Sequence, residues 1–264
     1  MKYARVTTNV LDLWAEPRYN SERSSQVLYG DVVSLGKEQQ GFVQVKESDG
    51  YSGWLDVRFL TPCPKPSPVP PRGWKRAIVN SPTAWINPVE GQSIPAPFFF
   101  FYGTRLLTRR AKPGILSVCL PDGTVFPFSE RAVRELSPTR SKPRPQEIIR
   151  EARKHLGVPY LWGGITPFGF DCSGLVRMVF RQFGIELPRD TKDQIRVGRE
   201  VRREEVKPGD LLFFNRHVGI AMRLGRIIHA SVGGGGVRIN SLRADTPDYR
   251  PDLDRDFKLA RRLL

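Results

Sequence analysis

The sequence predicts two small all-β units, each barrel-like, followed by one α+β domain, and three observations lead there. Proline-rich stretches divide the 264-residue chain at "TPCPKPSPVPPRG" (61–73) and "SPTRSKPRPQ" (137–146), leaving segments of about 1–62, 73–137 and 145–264. The first two segments look like diverged copies of one unit. A shift of 73 residues lays Tyr29-Gly30 on Tyr102-Gly103, Gly41 on Gly114, Val45 on Val118 and Asp49-Gly50 on Asp122-Gly123. The third segment begins with helical periodicity and continues in short apolar runs of strand length.

In the first copy the β-rich runs are "QVLYGDVVSLGK" and "FVQVKESDGYSGWLD". In the second they are "RLLTRR", "ILSVCL" and "TVFPF". Asp-Gly at matching places is a hairpin signal, and about five short strands in about 60 residues suit a small barrel. Thr124 and Pro127 stand in the second copy where the first has Tyr51 and Trp54, so an aromatic pair is expected only in the first. The third segment opens with "QEIIREARKHLG", an amphipathic helix with Ile148, Ile149, Ala152 and Leu156 inward and Gly157 as its stop. A second helix carries Leu175, Val176, Val179, Phe180 and Phe183 at helical spacing and stops at Gly184. Four runs follow as an antiparallel meander: 209–215, 217–225, 226–231 and 236–242.

The formal charge is +15, from 42 Lys and Arg against 27 Asp and Glu. The basic residues are scattered, with no recognition helix or aromatic-interleaved stripe, which argues against nucleic acid as a partner. No run approaches the ~18 apolar residues of a membrane span. The N-terminal "MKYARVTTNVLDLW" has no apolar h-region, so a cytoplasmic location is expected, or export if a signal peptide precedes it. Three cysteines cannot all pair and lack metal-ligand spacing. Cys63, among prolines, is expected to be exposed, and Cys119 to lie in a strand.

The third cysteine has other surroundings. In "GGITPFGFDCSGLVRMVF" (163–180), Gly163, Gly164 and Gly169 make a flexible approach to Cys172 in the first turn of an apolar-faced helix. Unpaired N–H groups and the positive end of the helix dipole favour a thiolate there. A nucleophile also needs a base and something to orient that base. Of three histidines, His155 stands beside Arg153 and Lys154 and is expected to be solvated. His217 and His229 fall on adjacent strands about a turn at 223–225, compatible with one sheet face. Cys172, His217 and His229 then supply nucleophile, base and orienter. The same three could instead hold zinc with an open fourth position, but 45 and 12 residues apart they lack the usual close-spaced pair.

The blocks "VPYLWGG", "FDCSGLV", "KPGDLLFF", "HVGIAM" and "IIHAS", in that order, resemble the NlpC-type cysteine peptidases, papain-like enzymes that cut bacterial cell-wall peptides. The tandem units preceding them resemble bacterial SH3 domains. The resemblance implies two SH3-like β-barrels and a papain-like α+β catalytic domain, with Cys172 as nucleophile, His217 as base and His229 orienting it. Tyr160 occupies the family's tyrosine position as an oxyanion donor or substrate contact. The combined layout resembles dipeptidyl peptidases that release L-Ala-γ-D-Glu from murein stem peptides with a free N-terminus. By that resemblance Glu16 and Tyr51 of the first SH3-like unit, with Asp171 and Ser173, hold the substrate ammonium. Asp171 has a second reading as the helix N-cap. No cofactor is implied, the partner is the murein peptide alone, and a monomer is expected. The rival functions are an exported endopeptidase that trims intact wall and a non-catalytic wall-binding protein.

Overall fold

The structure, a computed structural model, describes residues 2–86, 99–136 and 142–264. The chain separates into two compact units, Met1–Arg140 and Ser141–Leu264. Half of the second proline-rich boundary, residues 137–141, falls outside those described.

The first unit holds two main antiparallel sheets. One runs in the order Arg23–Leu28, Val10–Trp14, Ser52–Asp56, Phe42–Lys46, Val32–Gln39, Tyr3–Val6 and Leu60–Cys63. The other runs Val125–Ser129, Ile115–Cys119, Arg105–Lys112, Lys75–Val79 and Val133–Glu135, beside a separate pair of Thr83–Trp85 and Phe99–Phe101. Strands 42–46 and 115–119, and 3-10 turns 57–59 and 130–132, repeat at the spacing of 73 read from the sequence. So do the turn backbones: Gly41 and Gly114 both have φ 76°, a left-handed conformation open to glycine at little cost. The pairing of each sheet is open at both ends, which corrects the expectation of closed barrels. The proline stretch is also not all linker. Leu60–Cys63 forms an edge strand on Tyr3–Val6, where Pro62 is tolerated because an edge strand has one face without ladder bonds. That pairing buries Cys63 to 8% exposure, against the expectation of an exposed thiol.

One residue ties the two copies together. Tyr29 of the first is buried in the core of the second, its ring 5.1 Å from Phe100 and grouped with Val79, Leu106 and Phe128. Burial first, then the charge of Asp122, pushes its phenol up to about 12.

The second unit is α+β. Helices Pro145–Arg153 and Cys172–Arg181 pack together, and the second also packs on a six-stranded antiparallel sheet. Its order is Arg199–Val201, Leu259–Arg262, Leu211–Phe214, His217–Ala221, Arg226–Ser231 and Gly236–Ser241. The four predicted strands are present, and two more extend the sheet on one side, beyond Leu211–Phe214. Leu259–Arg262, in the basic "KLARRLL", completes the sheet because Arg262 forms a two-bond ion pair with the buried Asp210 at 2.7 Å. Asp210 also accepts from the Lys207 amide, so the Pro-Gly-Asp block closes a turn and anchors the last strand. In the first helix Ile148 and Ala152 are fully buried, but Leu156 lies beyond its end and is 44% exposed. His155 reverses the expectation made for it: it is 2% exposed, edge-on to Phe170. Residues adjacent in sequence face different directions along a helical turn, so charged neighbours say little about exposure.

Candidate active site

The start of the Cys172 helix is fixed by its neighbours' backbone. Gly174 lies so near the 163–170 loop that a Cβ there would sit 2.2 Å from Gly164 O, and one on Gly164 would sit 2.3 Å from Gly169 O. The glycines therefore permit close backbone packing, where the sequence suggested a flexible approach. Asp171 caps the helix by accepting from the Gly174 amide at 2.7 Å. It also accepts from the Gly163 amide at 3.0 Å and from both terminal nitrogens of Arg189 at 2.5 and 3.2 Å. Ser173 Oγ donates to it at 3.2 Å and accepts from Arg189 at 2.9 Å. A carboxylate with that many donors has little capacity left for a substrate ammonium. Asp171 and Ser173 thus hold the catalytic turn in place.

Cys172 is 8% exposed, with Sγ 3.8 Å from Thr191 Oγ1. Burial, then the Asp171 charge, pushes its thiol up, against smaller opposing effects from Thr191 and the Val218 and Ser173 amides. The helix terminus alone does not supply a ready thiolate in the resting protein. The nucleophile depends on a base.

His217 begins a strand opposite Phe214, and its Nε2 lies 2.7 Å from His229 Nδ1 on the next strand. Gly219 makes the approach possible: a Cβ there would meet Ile227 Cδ1 at 2.6 Å and His229 Cβ at 2.9 Å. His229 Nε2 in turn lies 3.0 Å from Asn240 Oδ1. Burial, then the neighbouring His229, lowers the His217 pKa to about 3. Burial lowers His229 to about 4, despite its bond to Asn240. Both rings are neutral at pH 7. Tyr160 lies near enough that the Cys172 and Asp171 charges, after burial, push its phenol up.

Burial likewise lowers His155 to about 4, so all three imidazoles of the second unit are depressed below the unfolded value near ~6.5. Their contribution to stability is present above about pH 6.5 and is lost as pH falls through about 4 for His155 and His229 and about 3 for His217. The urea midpoint should therefore drop steadily between those values, by an amount worth several kcal/mol on an order-of-magnitude scale. A midpoint that stays level across this window would contradict the assignment of buried, neutral histidines.

Glu16 and Tyr51 belong to the first unit. Glu16 is exposed and pairs with Arg18 at 2.8 Å, while Tyr51 donates to Ser24 O at 3.2 Å. The sequence reading passed over Thr191, Arg189 and Asn240. A clue to the first was available in "RDTKDQ", where Asp190 stands at an N-cap position and places Thr191 at the start of a short helix.

A buried cysteine at a helix start, with two histidines hydrogen-bonded edge to face on an antiparallel sheet, defines a thiol hydrolase on an α+β frame. The chain belongs to the NlpC/P60 family, whose sequence profile matches residues 157–252, and it is a cysteine peptidase of that family. A profile described as the bacterial dipeptidyl-peptidase SH3 domain matches residues 13–60. The chain is similar to dipeptidyl-peptidase 6 of Lysinibacillus sphaericus, 36% identical over 95% of this chain and 95% of that one. It is also 32% identical to a γ-D-glutamyl-L-lysine dipeptidyl-peptidase of Bacillus subtilis, over 83% of this chain and 75% of that one. A crystal structure of an NlpC/P60 family protein from Bacillus cereus shares the fold, with a TM-score of 0.83 over 98% of this chain and 99% of the other at 24% identity.

Proposed function

We propose that the protein is a dipeptidyl peptidase that hydrolyses the bond between γ-linked D-glutamate and the following L-diamino acid in murein stem peptides with a free N-terminal L-alanine. The observation that carries this reading is the match of residues 13–60, which span Glu16 and Tyr51, to an SH3 domain described for bacterial dipeptidyl peptidases. Relatives named for the γ-D-glutamyl-L-lysine bond support the substrate class.

In this reading Cys172 passes its thiol proton to His217 Nδ1, and the sulfur attacks the γ-carbonyl carbon of glutamate. The imidazolium then protonates the amine of the departing diamino acid, and water attacks the thioester with His217 again as base. Tyr160 and amides at the helix start stabilise the oxyanion. By the likeness of residues 13–60 to the dipeptidyl-peptidase SH3 domain, Glu16 and Tyr51 are the candidates to hold the substrate ammonium. Asp190, 32% exposed, 3.6 Å from the exposed Lys192 and next to the Thr191 that touches the sulfur, is a further candidate acid beside Asp171. The role is turnover of released wall peptides in the cytoplasm.

Mass spectrometry of digests decides the matter. L-Ala-γ-D-Glu-L-Lys and its diaminopimelate counterpart should release L-Ala-γ-D-Glu, while their N-acetylated twins should remain largely intact. Equal cleavage of acetylated and free peptides would replace this reading with a wall-trimming endopeptidase.

A further inference from the structure

Beyond the nucleophile and the histidine pair, Asn240 is the group whose geometry has the most direct bearing on the chemistry. Its amide lies between His229 and the backbone of Asp248. Nδ2 donates to Asp248 O at 3.3 Å, and Oδ1 lies 3.0 Å from His229 Nε2. The reverse orientation would set Oδ1 against a carbonyl oxygen, two acceptors facing each other, so the backbone carbonyl determines which way the amide points. Asn240 is 9% exposed, in the Gly236–Ser241 strand that pairs with the strand of His229.

The proton positions follow in sequence. Asn240 Oδ1 can only accept, so His229 carries its proton on Nε2. Its Nδ1 is then a lone pair, and the 2.7 Å contact with His217 requires the His217 proton to be on Nε2. That leaves the lone pair of His217 on Nδ1, the form that can take a thiol proton. Both rings are neutral at pH 7, so each has one proton to place.

We propose that Asn240 is a positioning residue that selects the tautomer of both histidines, so that a backbone carbonyl two side chains away determines whether His217 can act as a base. Without the Asn240 acceptor, His229 can hold its proton on Nδ1 and donate to His217 Nε2. His217 then carries its proton on Nδ1 and has no lone pair for the thiol. The proposal deepens the peptidase reading and rests on the roles given there to Cys172 and His217.

The test uses the full chain, with Asn240→Leu to remove the acceptor at similar size and Asn240→Gln to keep both the acceptor for His229 and the donor for Asp248 O. Ring-nitrogen chemical shifts of ¹⁵N-labelled protein at pH 7 report the protonated nitrogen directly. Wild type and Asn240→Gln should show Nε2–H on both His217 and His229, and Asn240→Leu should move protons to Nδ1. On the free tripeptide, Asn240→Leu should lower kcat by at least about tenfold with KM little changed, and Asn240→Gln should recover most of that loss. Unmoved ring-nitrogen shifts in a folded Asn240→Leu protein overturn the proposal, even if kcat falls, because Asn240 would then be merely structural. If Asn240→Leu does not fold, Asn240→Gln decides: protons on Nδ1 in that variant overturn it and protons on Nε2 support it. The spectrum needs no substrate, so a failed tripeptide assay would count against the substrate assignment alone.

Discussion

Replacing the sulfur should abolish turnover: Cys172→Ser is expected to lower kcat by at least about 10⁴-fold while the protein stays folded. The reason is visible in the surroundings of the thiol. Burial holds it protonated, so the reaction depends on a sulfur acidic enough for a neutral imidazole to deprotonate, and a serine hydroxyl is far less acidic. His217→Ala should be nearly as severe. His229→Asn should retain a measurable fraction, because an amide can still bond to one nitrogen of His217. The losses should be far from additive, since the three groups act as one unit. Kinetics on the single and double variants, with circular dichroism to confirm the fold, check this. Full activity in Cys172→Ser, or additive losses for the histidines, would remove the catalytic assignment.

The second large effect concerns substrate choice. Losing one partner of a buried charge pair costs about 3–5 kcal/mol, and a pair in contact with water costs less. Glu16→Gln should therefore lower kcat/KM for the free tripeptide at least about tenfold, and by hundreds-fold if the bound ammonium is sealed from water. Activity on the acetylated peptide, already poor, should hardly move, since that substrate offers no ammonium to the carboxylate. The readout is the ratio of kcat/KM for free over acetylated peptide in wild type and variant. An unchanged ratio in a discriminating wild type would transfer the ammonium to another acid, with Asp190 the next to test.

Much of the framework could be read from local patterns because those patterns act locally. The repeat at 73 residues survives in turn glycines, where a left-handed backbone restricts which residue can stand. The spacing of His217 and His229 carries over because strand alternation has a fixed period of two. Less legible was anything decided by a distant partner. Arg262 looks like part of a basic tail until Asp210, 52 residues earlier, pairs with it. His155 and Cys63 were misjudged for the same reason: their charged or proline neighbours were visible, but the packing surfaces that bury them were not. Asp171 shows a subtler limit. Its cap role fits the motif and is seen in the bond from Gly174, but the charged partner Arg189, arriving from 18 residues away, had no local signal.

Tyr29 has a consequence for how this architecture can vary over time. A repeated unit that keeps its core to itself can be copied, lost or spliced elsewhere as a cassette. Here the second copy has its core completed by a side chain from the first, in contact with Phe100. Cutting the chain between the copies would leave a hole in one and a stranded aromatic ring on the other. The two copies are thus expected to stand or fall together, and the second, with Thr124 and Pro127 where the first has Tyr51 and Trp54, still serves as the socket for Tyr29.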